Sequence, residues 1–270
     1  MTDIGATFRA LHVPGDPFLM VNVWDAGTAK VMAAMGAQAL ATSSAALAYI
    51  LGRPDGGTVT RDEALAHAQD IAAATPLPVQ GDFENGFGEA PDICAETVRL
   101  AAEAGLAGIC IEDTALPDQS AYDRALAVER IRAAAAAARA LPKDFVLTAR
   151  ADGLLTGAYD EAEATARLQA FEEAGADCLY APLPPDMDAL ARLTAAVNAP
   201  VNALVVGAFA KEPRSAYAEI GVARLSLGSA LARATQRTIL EAAEAMFGGD
   251  FTPLTRTAPS SKIDAMLTGS

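Results

Sequence analysis

"EAGLAGICIED", residues 103–113, sets the plan of the whole chain. A helix-forming stretch stops at Gly105, an apolar run follows at once, and Glu112 and Asp113 close it. Glycine just past a helix end supplies the left-handed cap. An apolar run this short reads as a strand covered on both faces, as in parallel sheets. The same order recurs in "AMGAQALATSS" (34–44), "EAGADCLYAPL" (173–183) and "EIGVARLSLGS" (219–229), with Gly36, Gly175 and Gly221 in the capping place. Four further strand candidates are "FLMVNVW" (18–24), "LPVQGDF" (77–83), "FVLTARA" (145–151) and "APVNALVV" (199–206). Alanine-rich amphipathic segments lie between them. Two open with Thr60 and Glu63, and with Asp160 and Glu163, at capping-box spacing. The alternation predicts an α/β protein with one (β/α)8 TIM barrel over residues 1–270. An open doubly wound sheet would carry a glycine-rich phosphate loop after its first strand. "NVWDAGTAK" (22–30) is no such loop. Beyond the eighth strand, 229–270 holds a long helix (229–247) and a Pro/Ser-containing end. A closed barrel does not need this surplus, so it is expected to pack on a neighbouring subunit.

The bulk numbers narrow the partners. The chain has 270 residues, is 52% apolar and carries a net charge of −14. That suffices for one large core. An acidic chain repels phosphate backbones and anionic lipid, which disfavours nucleic acid and membrane partners. An anionic substrate then needs local positive charge, from a metal or a placed arginine. Cys94, Cys110 and Cys178 have no CxxC spacing, so neither a disulfide framework nor a zinc site is expected. The amino end does not read as a signal peptide, and no apolar run is long enough for a membrane helix. A reducing cytoplasm is the expected compartment.

In a barrel, chemistry sits where strands end and βα loops begin. The strand ends supply Asn22, Trp24 and Asp25; Thr42, Ser43 and Ser44; Asp82 and Glu84; Glu112 and Asp113; Arg150 and Asp152; then Tyr180, Asn202 and Ser226. Asp82 and Glu84 stand at i and i+2, which puts them on one face of a continuing strand. With Glu112 from the next strand, three carboxylates meet at one mouth. Three unpaired carboxylates are costly there, and a divalent cation offsets them. Oxygen-only ligands suit Mg2+, with Mn2+ as the substitute. Arg150 suits two-point capture of a substrate carboxylate, and Trp24 is a further candidate substrate contact. Simpler roles stay open. Strand-end acids also cap helices or pair with arginine, Ser43 and Ser44 can cap the next helix, and Asp55 in "GRPDGG" (52–57) can be a turn residue. The two histidines, His12 and His67, and the four lysines lie away from the predicted strand ends. That disfavours a histidine metal site, a Ser-His-Asp triad and a Schiff base.

Five segments, in order and spacing, carry a family resemblance: "ATSSAALA" (41–48), "GRPDGG" (52–57), "GDFENGFG" (81–88), "AGICIED" (107–113) and "LTARAD" (147–152). The chain resembles the isocitrate lyase/phosphoenolpyruvate mutase superfamily from about residue 18 to 250. The resemblance implies a barrel whose last helix is exchanged between subunits, in a homotetramer built as a dimer of dimers. It also implies Mg2+-dependent making or breaking of a C–C or P–C bond next to a 2-oxo carboxylate. Asp82 would be the direct metal ligand, and Glu84 would act through metal-bound water. Glu112 is the acid of the "IED" strand, and Asp55 is placed near metal water and substrate. Ser43, Ser44 and Ala45 would hold the substrate carboxylate, and Arg150 would anchor the substrate.

Two departures bear on the reaction. Isocitrate and methylisocitrate lyases carry a Lys-Lys/Arg-Cys-Gly-His loop after the "IED" strand; here "TALPDQSAYDRALAVE" (114–129) has no Cys, Lys or His. The phosphonate branch ends its sixth strand in His, whereas this one runs "LYAPLPP" (179–185). Tyr122 and Arg124 are the loop groups left to replace the missing donors. The leading expectation is a Mg2+-dependent lyase for a small 2-oxo or 2-hydroxy di- or tricarboxylate, working through an enolate. Oxaloacetate decarboxylation or hydrolysis comes next, then a phosphonopyruvate-processing enzyme, and last a 2-oxo acid binding protein without turnover.

Overall fold

A computed structural model of the chain describes residues 3–268; residues 1–2 and 269–270 of the expected domain lie outside the described residues. Eight parallel strands close in chain order: β1 (Phe18–Asn22), β2 (Ala39–Ala41), β3 (Val79–Asp82), β4 (Gly108–Glu112), β5 (Val146–Arg150), β6 (Cys178–Tyr180), β7 (Val201–Leu204) and β8 (Arg224–Ser226). β8 pairs with β1 to complete the barrel. The expected TIM barrel is what the chain forms.

The glycine plan accounts for the repeat. Gly36, Gly105, Gly175 and Gly221 have φ of 94°, 87°, 101° and 81°, each directly after a helix C-cap. A side chain would strain that turn, so glycine ends the helix and drops the chain into the next strand. Thr60 and Glu63 form a reciprocal capping box. Asp160 caps through the Glu163 amide, but the Glu163 side chain turns to Arg167 instead, at 2.9 Å.

Side-chain alternation sorts the barrel into two environments. Outward residues such as Leu40, Ile109, Ile111, Leu147 and Leu179 are buried in one cluster with helix residues that include Ile71, Val98, Ile131, Leu168 and Phe171. The interior is polar. Gln80 of β3 accepts from Thr148 of β5 and from Arg224 of β8, each at 2.9 Å, and Arg224 also donates to Asn202 of β7 at 2.8 Å. An element not read from the sequence, helix Ile4–Ala10, closes the amino-terminal end of the barrel. Its Phe8 is fully buried with the rings of His12 and Phe18. A Cβ at Gly5 would lie 1.7 Å from the Asp144 carbonyl oxygen, so only glycine permits this approach. No helix among the described residues is long and apolar enough to cross a membrane.

Past β8, helix Ala230–Phe247 packs Leu231 and Ala232 on the barrel and then leaves Ile239, Leu240 and Phe247 58%, 63% and 90% exposed.

Candidate active site

The alternation that points Gln80, Cys110, Thr148 and Cys178 inward points Asp82, Glu112, Arg150 and Tyr180 inward two residues later, at the carboxyl ends of β3 to β6. In-register pairing sets Glu112 beside Arg150 and Arg150 beside Tyr180. Asp113, one residue out of phase, faces the helices. Its carboxylate takes the Arg167 guanidinium at 2.9 Å and the Tyr159 hydroxyl at 2.7 Å, which is a structural tie.

Arg150 organises the mouth. Its Nη2 lies 3.2 Å from Glu112 Oε2 and its Nη1 lies 4.0 Å from Asp82 Oδ1. Its Nε donates to Asp152, and the guanidinium sits 5.5 Å from the centre of the Tyr180 ring. Burial pushes the Glu112 carboxyl well up, the Arg150 charge opposes that, and the nearby Asp152 and Asp82 add to the rise. Burial likewise pushes the Tyr180 phenol up, so it keeps its proton at neutral pH.

Asp82 ends β3 and ties two loops together. Its amide donates to Thr42 Oγ1 at 2.8 Å. Its Oδ2 accepts from the Ser44 amide at 2.9 Å and the Ser44 hydroxyl at 3.0 Å. Ser43 caps helix Ser44–Ile50 through the Ala46 amide at 3.3 Å, so the capping role is present. Ala45 follows in the first helical turn. The Asp55 carboxyl accepts from the Gly56 amide at 2.9 Å, and partial burial raises it, with the Asp82 charge adding.

The chain departs from the expectation for Glu84. The strand stops at Asp82, and Glu84 takes φ +46°, so the pair does not project from one face of a continuing strand. The turn instead buries the Glu84 carboxylate against the loop 52–57, where it accepts from the Gly57 amide at 3.0 Å. Burial first, then the charges of Asp82 and Asp55, push it up to about 7. Among the described residues no three acid, histidine or cysteine side chains stand together as a ready cation site. Asp82, Glu84 and Glu112 therefore gather around the mouth without meeting at one point. Glu84 is drawn to the loop 52–57 and Glu112 to Arg150. The donor chemistry still fits Mg2+: all the groups are oxygens, and the carboxyls of Glu84 and Glu112 are raised first by burial and further by the acids beside them.

A cavity of about 690 Å³ opens over this arrangement. Ser43, Ser44, Ala45, Asp55, Asp82 and Arg150 lie on its wall, with Tyr180 beside them. Glu84 and Glu112 stand behind it, and Trp24 is not on it; the Trp24 carbonyl accepts from His67 at 2.8 Å. The two candidate replacement donors of the gate are engaged elsewhere. Tyr122 accepts from Asn85 Nδ2 at 2.9 Å under the Arg130 guanidinium, and Arg124 pairs with Glu163 at 3.4 Å. The gate itself folds into a small hairpin, Thr114–Ala115 with Ser120–Ala121, whose Leu116 packs on Gly57.

Sequence reading passed over Arg130. This residue, 1% exposed, donates to the main-chain carbonyls of Asn85, Gly88 and Glu89 and so fixes the loop that follows Asp82. It lies in the middle of an alanine-rich helix, and nothing local marks it.

Comparison with known proteins adds an independent line. The family model for phosphoenolpyruvate phosphomutase matches residues 8–247. The 2-methylisocitrate lyase of Escherichia coli is 31% identical over 246 residues, covering 86% of this chain and 82% of that one. An oxaloacetate decarboxylase of Chromohalobacter salexigens is 29% identical over 227 residues, covering 82% and 77%. A solved structure from Burkholderia cenocepacia, described as a candidate lyase/mutase, superposes with a TM-score of 0.92 at 46% identity, covering 97% of this chain and 94% of that one.

Proposed function

The chain belongs to the isocitrate lyase/phosphoenolpyruvate mutase superfamily and is a carbon–carbon lyase; from that premise we propose that it cleaves a small 2-oxo or 2-hydroxy di- or tricarboxylate with the help of Mg2+. The observation that carries the reading is Arg150 on the cavity wall, between Glu112 at 3.2 Å and Asp82 at 4.0 Å.

Cleavage of a 2-oxo acid leaves the enolate on the oxo-acid fragment. A 2-hydroxy acid instead gives up its hydroxyl proton to a carboxylate of the mouth, becomes the 2-oxo product and leaves the enolate on the departing fragment. In both cases the site must hold the carboxylate and offset charge on the neighbouring oxygen. Arg150 offers its guanidinium edge to the substrate carboxylate. The first turn of helix Ser44–Ile50 lies on the same wall and presents amide donors. Asp82 and Asp55 on the wall, with Glu84 and Glu112 behind them, supply the oxygens that hold Mg2+, directly or through water. When bound, the metal supplies Lewis-acid charge at the oxygen that becomes the enolate. Tyr180, protonated at neutral pH beside Arg150, is a hydrogen-bond donor to the same region. The subunits assemble as a homo-oligomer, a dimer of dimers, through helix Ala230–Phe247.

Oxaloacetate decarboxylation is the second reading. The engagement of Tyr122 and Arg124 away from the mouth favours it. Loss of CO2 does not ask the gate for a proton at the departing fragment, whereas a cleaved carbon acid does.

The test is incubation with Mg2+ and a panel of oxaloacetate, isocitrate, 2-methylisocitrate, 2,3-dimethylmalate and phosphonopyruvate, followed by proton and phosphorus NMR. Pyruvate or glyoxylate plus a partner acid, abolished by EDTA, is expected. Pyruvate and CO2 from oxaloacetate alone would favour the second reading. A panel left intact would remove both.

A further inference from the structure

We propose that Arg233 holds the far carboxylate of the substrate, and that the site therefore takes diacids whose carbon spacer lies along the aliphatic wall of the cavity that Arg150 and Arg233 share. This rests on the reading of the site as one for 2-oxo or 2-hydroxy acids, and it adds where the other end of such a molecule goes.

Arg150, Arg233 and Arg237 are the cations on the cavity wall. Arg150 is surrounded by Glu112, Asp152 and Asp82. Arg237 pairs with Glu241 at 2.6 Å. Arg233 has no acid partner among the described residues. A guanidinium with its whole donor edge free, on the wall of a cavity that also holds Arg150, is available to a ligand carboxylate.

Its placement is built. Asn22, buried at the end of β1, accepts through Oδ1 from the amides of Leu227 and Gly228 at 2.8 and 3.0 Å. That pins the turn after β8, where Gly228 takes φ +53°. The Arg233 amide then bonds to the Ser229 carbonyl at 2.8 Å in the first turn of helix Ala230–Phe247. The barrel strands thus aim the turn that carries Arg233.

The rest of the wall indicates what lies between the two cations. Leu155, Leu183, Leu204, Val206 and Leu227 line it, contributed by the end of β7 and by the segments that follow β5 to β8. Leu183 is held at φ +52°, a costly conformation for leucine. Aliphatic wall gains nothing from a phosphonate or a hydrated acid, and it desolvates a carbon spacer well. A molecule with an oxo-acid head at Arg150, methylene or methyl carbons along this wall and an acid tail at Arg233 satisfies all three regions. An oxalate-sized ligand satisfies only the first.

The experiment measures binding, so it does not depend on turnover. Oxalate serves as a head-only probe. Oxaloacetate and 2-oxoglutarate are compared with their distal monoamides by calorimetry in the presence of Mg2+, using the unaltered protein, Arg233→Gln and Arg233→Lys. The unaltered protein is expected to prefer each diacid over its amide by roughly 10- to 100-fold. Arg233→Gln should erase that preference while oxalate affinity stays within about twofold, and Arg233→Lys should keep part of it. Equal affinity for diacid and amide overturns the proposal. So does an Arg233→Gln loss that oxalate shares, because that reports a structural role. A clear diacid preference without turnover of any acid upholds Arg233 and overturns the lyase reading. Failure to bind any of these ligands overturns both.

Discussion

Nη1 of Arg224 lies 3.1 Å from Nε2 of His12, and this contact fixes the protonation of the barrel floor. His12 Nδ1 is 2.9 Å from the Phe8 carbonyl, which can only accept. The proton therefore sits on Nδ1, and Nε2 accepts from Arg224. Arg224 is 1% exposed, and its other partners, Asn202, Gln80 and Thr148, are neutral. A neutral imidazole is the form this cation tolerates. Burial, and then the Arg224 charge, depress His12 to about 3.

The linkage has a definite direction. Between pH 6.5 and about 3 the unfolded chain binds a proton at His12 that the folded chain refuses. Stability is thus intact above the unfolded value and falls as pH drops through this window. At pH 5 the expected loss from this site is ~2 kcal/mol. Urea melts of the protein and of His12→Asn, at pH 7.5 and pH 5, measure the difference in slope. In NMR, His12 should not titrate above pH 4.5, and Arg224→Met should move its titration toward 6.5. An unaltered protein in which His12 titrates near 6.5 would contradict its depression by burial and by Arg224.

Arg130 joins the loop after Asp82 to the helix Arg124–Arg139, by three carbonyl contacts and by stacking at 4.3 Å on Tyr122. Removing it takes the donor from the buried Asn85 carbonyl and from the part-buried contacts at Gly88 and Glu89. Arg130→Met should cost roughly 2–4 kcal/mol in urea unfolding. Arg130→Lys should recover only part, because a point charge cannot reach three carbonyls as a fork does. Mn2+ affinity measured by EPR should fall in step, since the same loop positions Asp82 and Glu84. Unchanged stability in Arg130→Met would remove the loop-anchoring role.

The barrel was legible because its signals are local. Gly36, Gly105, Gly175 and Gly221 each report a helix end by their own conformational need, and the apolar run after each needs only its own composition. Asp82, Ser43, Ser44 and Arg150 were legible as wall residues for a related reason: a strand end in a barrel is a fixed place, so residue type there carries chemical meaning, whereas Asp55 reads as a turn residue by spacing and was singled out only by the family resemblance. What escaped depends on distant partners. Glu84 turns out of strand geometry because the Gly57 amide, 27 positions away, receives its carboxylate. Helix Ile4–Ala10 seats through Arg9 on Asp144 and Asp177, at separations no periodicity encodes. Arg233, exposed on its helix, carries no local mark in the sequence; only the cavity lining sets it on the same wall as Arg150.

Asp82 and Glu84 should separate in metal binding. Asp82 lies on the cavity wall and Glu84 behind it, fixed to Gly57. Asp82→Ala should lower metal-dependent turnover about 1,000-fold or more. Glu84→Gln, which keeps the shape and the Gly57 contact, should weaken Mn2+ binding by about 10- to 100-fold. Mn2+ titration followed by EPR checks both without needing the substrate. Full metal affinity in Asp82→Ala would sink the assignment of this mouth as the metal site.

Helix Ala230–Phe247 should be covered in solution. Ile239, Leu240 and Phe247 expose apolar surface along it, and Phe251 and Leu254 continue the patch at 63% and 51% exposure. Five large apolar side chains this exposed within residues 239–254 mark a contact surface on a chain of charge −14. A second copy of the chain is the partner that also explains why the helix departs from its own barrel. Light scattering coupled to gel filtration should give a mass well above one chain. Leu240→Glu with Phe247→Glu should reduce that mass and leave the barrel folded by circular dichroism, since these side chains touch no buried core residue. Because Arg233 and the cavity wall sit at the root of the same helix, activity should fall with assembly even though neither substituted residue lines the cavity. A variant that stays assembled and fully active would detach the helix from both roles.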